Sequence, residues 1–345
     1  MSCISTTELR QGDILLYRPT DAFQNAVSWM IRWIDDSEVS HAGLYLGNEE
    51  VGEALIVGNS GVNVNPLVES VSGCEWVAVR RLPALNMAFD PVVSVGRRYL
   101  DQGNKYAFNQ IFVLAIVCLI RKVDSGNPLV RRIAKRAMQE ASEFLRRSQA
   151  EGKEPMICSE FVFRCYDEAD DADDDPYSLE ILSQTLGATV RRFSVRRRLR
   201  RSRRSDEPLP PNVHPQSLLA KLNSEPNRMT AQVGRLEAYR AVDDPQSLEE
   251  LIEEFKGEGS QFYGALETSM EGGSDEELAE SALKFAAELE DSLFAGHGGQ
   301  SAKYESLPVK AEAAIDTLTA VVADFVTPGD LFRSPSLDTI GRLAL

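Results

Sequence analysis

The stretch Ser40-His-Ala-Gly-Leu-Tyr-Leu-Gly-Asn-Glu-Glu-Val-Gly-Glu-Ala-Leu-Ile-Val57 decides the fold of this chain. It holds two runs of aliphatic and β-branched residues on either side of a Gly-Asn pair, an arrangement typical of a β-hairpin. Residues 61–64 and 76–80 continue the apolar pattern, and residues 11–17 give a turn followed by a short apolar strand. The pattern therefore predicts a sheet that contains this hairpin.

The register of the hairpin determines which side chains meet across it. If the hairpin closes through a three-residue loop at 46–48, Tyr45 pairs with Glu49 and His41 lies directly opposite Glu53, within contact distance. Glu53 then accepts a hydrogen bond from one ring nitrogen of His41 and leaves the other nitrogen to face a nucleophile. The ordinary alternative is a strand histidine in the core or at its rim and a strand glutamate at the surface.

A helical pattern replaces the strands after Pro91. It covers residues 92–100, 108–122 and about 128–147. Phe112–Ile120 is the most apolar stretch of the chain, but it is shorter than the roughly 20 residues that a membrane span requires. We expect a buried core helix there; the alternatives are peripheral contact with a bilayer or the wall of an acyl-chain pocket.

The segment Pro155-Met-Ile-Cys-Ser-Glu-Phe-Val-Phe-Arg-Cys-Tyr166 places Cys158 at the start of a predicted helix. A thiol at a helix N-terminus is favoured as thiolate, and an imidazolium partner favours it further. His41 is the best partner, because the other two histidines, His214 and His297, lie in linker-like sequence. The residues indicate a nucleophile and its base, with a buried structural cysteine as the alternative.

The formal charge of −16 argues against nucleic acid as the main partner, because phosphate binding requires a positive surface. Arg191–Arg204 is a local exception without acidic residues. We expect it to be a solvated linker or an arm on the acidic C-terminal half; a site for anionic lipid or nucleic acid is the alternative.

The motifs of other chemistries are absent from the sequence. The five cysteines are scattered without disulfide-framework or zinc-ligand spacing, and no phosphate-binding loop or calcium loop occurs. We therefore expect no metal and no cofactor. The N-terminus has no basic start followed by an apolar run, which predicts a cytoplasmic protein.

The second half of the chain differs in composition from the first. Pro208–Pro215 reads as a linker, and the sequence from there to about Phe325 is acidic, with its best helical segments at 248–255 and 276–293. It lacks a cluster of catalytic residue types. We expect an interaction or lid module that binds a protein partner.

Several segments, in this order, match a known family: Gln11-Gly-Asp-Ile-Leu-Leu16, Ser40-His-Ala-Gly-Leu-Tyr-Leu-Gly47, Gly52-Glu-Ala54, Gly61-Val62, Val77-Ala-Val-Arg-Arg81, Gly103-Asn-Lys-Tyr106 and Ile157-Cys-Ser-Glu-Phe-Val162. They resemble the circularly permuted NlpC-like branch of papain-like cysteine hydrolases, which includes YiiX-like proteins and the lecithin:retinol acyltransferase group. Permutation accounts for a histidine that precedes the cysteine.

The resemblance covers about residues 8–192, and residues 326–335 look like the end of the same domain. It implies an α+β fold in which an antiparallel sheet packs on helices, with a largely helical insertion. The implied organisation is a catalytic domain at 1–194, a linker and acidic insertion at 195–325, and a segment at 326–345 that returns to the catalytic domain.

The resemblance implies that Cys158 is the nucleophile, that His41 is the general base and then acid, and that Glu53 orients His41. The backbone N–H of Cys158 or Ser159 is then the candidate oxyanion donor. Tyr106 aligns with a tyrosine-containing segment and lines the site, or else belongs to the core.

The implied reaction is acyl transfer from an amide, ester or thioester through an acyl-enzyme. The expected substrate is a peptide, a cell-wall fragment or a lipidated molecule that contains an amide. Two alternatives stay open: a lipid acyltransferase on the same fold, and a non-catalytic papain-like scaffold or binding protein.

Overall fold

The computed structural model describes residues 2–20, 26–55, 61–83, 88–121, 127–170, 176–182, 189–191, 212–224, 246–258, 275–294 and 325–345. These residues form a mixed α+β fold, which confirms the predicted class. The Arg-rich run and the start of the Pro-rich run, at 192–211, lie outside the described residues, as does His297.

The strands are β1 (Cys3–Ile4), β2 (Ile14–Pro19), β3 (His41–Gly47), β4 (Glu50–Leu55), β5 (Gly61–Pro66), β6 (Cys74–Arg81), β7 (Tyr106–Ala107), β8 (Glu154–Pro155), β9 (Glu180–Leu182), β10 (Thr189–Arg191) and β11 (Asp338–Leu343). A seven-stranded sheet has the order β1-β11-β6-β2-β3-β4-β5. Its neighbouring strands are antiparallel, as predicted, except at one edge, where β1 and β11 are parallel and make the sheet mixed. β9 pairs with β10, and β7 pairs with β8.

The helices are α1 (Ala26–Ile34), α2 (Leu67–Ser70), α3 (Asp90–Asp101), α4 (Gln110–Ile120), α5 (Pro128–Ala150), α6 (Cys158–Asp167), α7 (Leu218–Ser224), α8 (Leu248–Glu258), α9 (Asp275–Phe294) and α10 (Pro328–Arg333). Within the described ranges, none of them is both long enough and apolar enough to cross a membrane.

The two faces of the sheet bury different sets of side chains, because alternate strand residues point to opposite faces. One face packs on the helices, and the other forms a smaller cluster with the chain termini. The first face carries Ile14, Leu16, Ala42, Leu44, Ala54 and Ala78, and the second carries Leu15, Tyr17, Tyr45, Val51, Val77 and Val79. By alternation His41 and Glu53 belong to the second face.

The hairpin exists, but its predicted register is wrong. β3 and β4 are joined by Asn48 and Glu49, whose φ values of 53° and 59° match the two central residues of a type I′ turn. A register shift follows between Tyr45 and Gly47. Glu53 consequently pairs with Gly43 rather than with His41.

Helix α4 is a core helix, as its composition predicts. The Asn109 side chain accepts a hydrogen bond from the Ile111 N–H at 2.7 Å and caps the helix start. Every residue from Phe112 to Ile120 is buried. The apolar surface that would contact a bilayer or an acyl chain is therefore covered by protein.

The described helices between residues 195 and 325 share this core. Leu219 of α7, Ile252 of α8 and Phe285 of α9 are each fully buried in the same cluster as α4. The rings of Phe112 and Phe285 lie 5.9 Å apart. The domain boundaries at 194 and 325 stay predictions, but these helices pack directly on the first 194 residues.

Candidate active site

His41 lies at the first position of β3 and is only partly covered. Its side chain is 19% exposed. Tyr17 is its partner on β2, and the two rings lie 5.1 Å apart at an interplanar angle of 47°. The Tyr17 hydroxyl is engaged elsewhere, in a 2.7 Å hydrogen bond with the Ser70 hydroxyl. Tyr17 therefore contacts the imidazole through its ring and leaves both imidazole nitrogens available.

Glu53 reaches His41 diagonally across the hairpin. Its Oε2 lies 2.8 Å from His41 Nε2, although the residue directly opposite Glu53 is Gly43. A Cβ at Gly43 would lie 2.8 Å from Val51 Cγ1 and 2.9 Å from Tyr17 Oη. The position thus requires glycine for reasons of space, and diagonal neighbours in a sheet remain within reach of long side chains.

Asn65 is the residue of this site that the sequence reasoning missed. It lies on β5, and its Nδ2 donates a 2.9 Å hydrogen bond to Oε1 of Glu53. A signal was present: Asn63 and Asn65 alternate with valines in a predicted strand next to the one that carries Glu53. An amide at every second position places both on one face, which is the face of Glu53.

Cys158 begins helix α6 and is 1% exposed. The loop before it is fixed by the β7–β8 pair and by a 2.9 Å hydrogen bond from the Met156 N–H to the Ala107 carbonyl. Glu160 accepts a hydrogen bond from the Ile157 N–H at 3.2 Å. The N–H groups of Cys158 and Ser159 have no acceptor among the described residues, as expected in the first turn of a helix that lacks a polar N-cap side chain.

The His41 ring interacts with Cys158 and Glu53 at once. Burial lowers the pKa of His41, but charge interaction and hydrogen bonding with Cys158, and then with Glu53, outweigh burial and raise that pKa to about 10. Because Nε2 contacts Glu53, Nδ1 is the nitrogen left for the thiol. Its interactions with Cys158 and Glu53 therefore favour the protonated imidazole.

Three other cysteines differ from Cys158 in chemistry. Burial raises the pKa of Cys118 to about 12 and that of Cys165 well above its usual range. Burial and the charge of Glu53 raise the pKa of Cys74 to about 11. These thiols stay protonated at neutral pH and are unreactive, while Cys3 is an ordinary exposed thiol.

The two remaining predicted residues occupy different places. Ser159 is fully buried beside Cys158, and its hydroxyl has no hydrogen-bond partner within the described residues. The Tyr106 ring lines a cavity of about 310 Å³. The other residues that line this cavity are Arg98, Tyr99, Gln102 and Glu168, so it lies at the C-terminal end of α6. Cys158 is at the opposite end of that helix.

Among the described residues, no three His, Cys, Asp or Glu side chains lie close enough together to bind a metal ion.

Comparison with known proteins gives one distant relative. The probable lipoprotein peptidase YaeF of Escherichia coli (strain K12) is 27% identical over 162 residues, which are 46% of this chain and 56% of the relative. The chain thus spans about half the length of the curated relative that it matches. No protein-family model matches the sequence. No solved structure matches it either.

Proposed function

We propose that this protein is a cysteine hydrolase with a permuted papain-like catalytic domain, which cleaves an amide bond through an acyl-enzyme on Cys158. The observation that carries the proposal is that one imidazole, His41, pairs with the buried carboxylate of Glu53 at 2.8 Å and interacts electrostatically with the helix-terminal thiol of Cys158. This is the arrangement that nucleophilic catalysis requires: a nucleophile, a base beside it and a group that orients the base.

In the first half of the reaction the Cys158 thiolate attacks the carbonyl carbon, and the C=O electron pair moves to the oxygen. The N–H groups of Cys158 and Ser159 donate hydrogen bonds to that oxyanion at the positive end of α6. The imidazolium of His41 then gives its proton to the amide nitrogen as the C–N bond breaks. The amine leaves, and a thioester remains on Cys158.

The second half regenerates the enzyme. Neutral His41 takes a proton from water while the water oxygen bonds to the thioester carbonyl carbon. The tetrahedral intermediate collapses, the C–S bond breaks, and the carboxylic acid departs. His41 keeps the proton, so the imidazolium and the thiolate are restored together. Glu53 stabilises the positive charge of His41 in both halves.

The peptidase name of the relative supports a peptide or lipidated peptide as substrate. The acyltransferase alternative depended on an acyl-chain pocket beside Phe112–Ile120, and these residues are buried against other helices. A non-catalytic scaffold does not require His41 to interact with both Glu53 and Cys158. Hydrolysis is therefore the function that the geometry favours.

Limited alkylation tests the proposal directly, because it needs no substrate. The protein is treated with a small excess of iodoacetamide and the modified peptides are quantified, so that Cys158 competes with exposed Cys3. We expect Cys158 to react first in wild type and more than tenfold slower in His41→Ala, because loss of the base removes the activated thiol. Cys165→Ala, which changes the second cysteine of α6, is the control and leaves the pattern unchanged.

An amidase-directed activity probe completes the test by intact mass. Labelling is expected in wild type, is lost in Cys158→Ala and is weakened in His41→Ala. Reaction of Cys158 no faster than Cys3, together with equal probe labelling of all three proteins, would refute a working cysteine hydrolase site.

A further inference from the structure

Both oxygens of the Glu53 carboxylate are occupied. Oε2 faces His41 Nε2 at 2.8 Å, and Oε1 accepts from Asn65 Nδ2 at 2.9 Å. Glu53 is 1% exposed, so water does not substitute for either contact. Among the described residues, His41 and Asn65 are the two side chains that form hydrogen bonds to this carboxylate.

The two contacts differ in kind. An imidazole nitrogen gains or loses its proton during the proposed reaction, whereas a side-chain amide NH₂ is a donor at every pH. A donor directed at a carboxylate favours its ionised form, and an unpaired buried carboxylate costs free energy or becomes protonated. The Asn65 contact is thus the constant one.

Among the described residues around the pair, Asn63 directs its Nδ2 to the Gly61 carbonyl at 3.2 Å rather than to Glu53. The Tyr17 hydroxyl pairs with Ser70, and burial followed by the charge of Glu53 raises the pKa of Tyr17 well above its usual range. Cys74 and Cys158 are the other titratable groups near the pair, and a thiol is only a weak donor. Ion pairs within the described part of the chain join Glu53 to His41 and to no lysine or arginine.

We propose that Asn65 is a positioning residue, which holds Glu53 in the rotamer that places Oε2 against His41. The inference rests on the proposed function, since it assigns Asn65 a role in the same site. Asn65 does not touch the thiol or the substrate; its effect passes through Glu53 to the charge and orientation of the imidazole.

The experiment reads the charge of His41 without a substrate. Alkylation of Cys158 is followed from pH 5 to 11 with iodoacetamide, which is neutral, and with iodoacetate, which is an anion. An imidazolium beside the thiol attracts the anion, so the ratio of the two rates falls as His41 loses its proton. The pH at the midpoint of that fall is the pH at which His41 loses its proton.

The variants distinguish the effect of the Asn65 amide from the effect of its side-chain volume and from the effect of any change in strand β5. Asn65→Ala removes the side chain, and Asn65→Leu keeps a similar volume without a donor. Asn65→Gln restores an amide on a longer side chain. Val64→Ala changes the neighbouring, partly exposed residue of the same strand and serves as the control. Circular dichroism confirms that each variant is folded.

We expect Asn65→Ala and Asn65→Leu to slow alkylation of Cys158 about tenfold at pH 7, the scale of a hydrogen bond to a charged group. The midpoint of the rate ratio is expected to fall by about one pH unit. Asn65→Gln is expected to lie between Asn65→Leu and wild type, and Val64→Ala to match wild type. If one variant fails to fold, the others still decide the outcome.

Two results overturn the inference in different ways. Wild-type rates and midpoints in both donor-free variants would remove the role of Asn65 and leave the cysteine hydrolase intact. The same holds if their rates fall without a midpoint shift, since that marks a structural role only. An unactivated Cys158 in wild type would instead remove the proposed function, and this inference with it.

Discussion

Two of the buried ionic clusters among the described residues differ in whether a proton can move. In the Arg121 cluster, Arg121 donates from Nε to Asp35 at 2.7 Å and from a terminal nitrogen to Asp330 at 2.6 Å. In the Glu53 cluster, Asn65, Glu53, His41 and Cys158 form a chain that ends at a thiol. Arginine keeps its proton in proteins, whereas imidazole and thiol exchange theirs near neutral pH.

Burial of charged groups has different consequences in the Arg121 cluster and in the Glu53 cluster. Burial lowers the pKa of Arg121, but Asp330 and Asp35 outweigh burial and raise it further above its usual range. The cluster therefore has one charge state and joins the ends of α1 and α4 to the segment that begins α10. The Glu53 cluster instead contains an imidazole and a thiol, the two side-chain types in it that can exchange a proton.

Removal of Arg121 is expected to have the largest effect on stability. Arg121→Met leaves the buried Asp35 and Asp330 with only the longer ion pairs to Arg333, at 3.3 and 3.7 Å. Breaking a buried pair in this way costs about 3–5 kcal/mol. We expect the free energy of unfolding, measured in urea, to fall by that amount, while iodoacetamide still modifies Cys158 first in the folded protein.

Arg97→Met is the matched control. Its ion pair with Glu50 is similarly short at 2.7 Å, but the two side chains are 45% and 40% exposed. A change of about 0–1 kcal/mol is expected there. Equal losses in the two variants would show that the Arg121 cluster contributes no more than a surface pair.

The sequence was a good guide to features set by local pattern. Alternation along β3 and β4, the apolar run of α4 and the cysteine at the start of α6 each depend on residues close together in the chain. Residue types and the family resemblance both predicted that His41 and Cys158 act together. The structure places these two side chains close enough to interact electrostatically although they are 117 residues apart, which no local pattern specifies.

The features that sequence reasoning missed depend on geometry across strands. The turn forms at Asn48 and Glu49 rather than at residues 46–48, and together with the register shift between Tyr45 and Gly47 it places Glu53 opposite Gly43 rather than His41. The contact with His41 nevertheless forms, because a glutamate is long enough to reach a diagonal neighbour. Asn65 escaped notice for the same reason, since its contact with Glu53 is also diagonal: Glu53 pairs with Asn63.

Gly43 offers a way to disturb the Glu53 cluster without removing any of its members. In Gly43→Ala the new methyl group lies 2.8 Å from Val51 Cγ1 and 2.9 Å from Tyr17 Oη, so both must shift. Overpacking of this kind costs about 1–3 kcal/mol. We expect a loss of stability on that scale, together with slower alkylation of Cys158, because Tyr17 packs on the ring of His41.

Gly257→Ala is the control for the general effect of replacing a glycine by alanine. A Cβ at Gly257, in α8, meets nothing within 4 Å. Alanine is favoured over glycine in a helix, so stability is expected to stay unchanged or rise by up to about 1 kcal/mol. Unchanged alkylation of Cys158 in Gly43→Ala would show that the packing of Tyr17 does not control the imidazole.

The smallest expected effect is a shift in pH dependence, and it bears most directly on the mobile proton. Glu53 is one of the groups that raise the pKa of His41 to about 10 against the opposing effect of burial. Glu53→Gln removes the negative charge, so the imidazolium loses stabilisation and the pKa of His41 must fall. The ratio of iodoacetate to iodoacetamide rates then drops at a lower pH than in wild type. We expect the midpoint of the rate ratio to shift by about one pH unit, equivalent to about 1.4 kcal/mol.

Glu50→Gln is the control for this prediction. Glu50 is on the same strand but is paired with exposed Arg97, so the midpoint of the rate ratio should stay at its wild-type pH. An unmoved midpoint in Glu53→Gln would mean that Cys158 alone holds the proton on His41, and the Glu53 cluster would then resemble the Arg121 cluster in serving structure rather than chemistry.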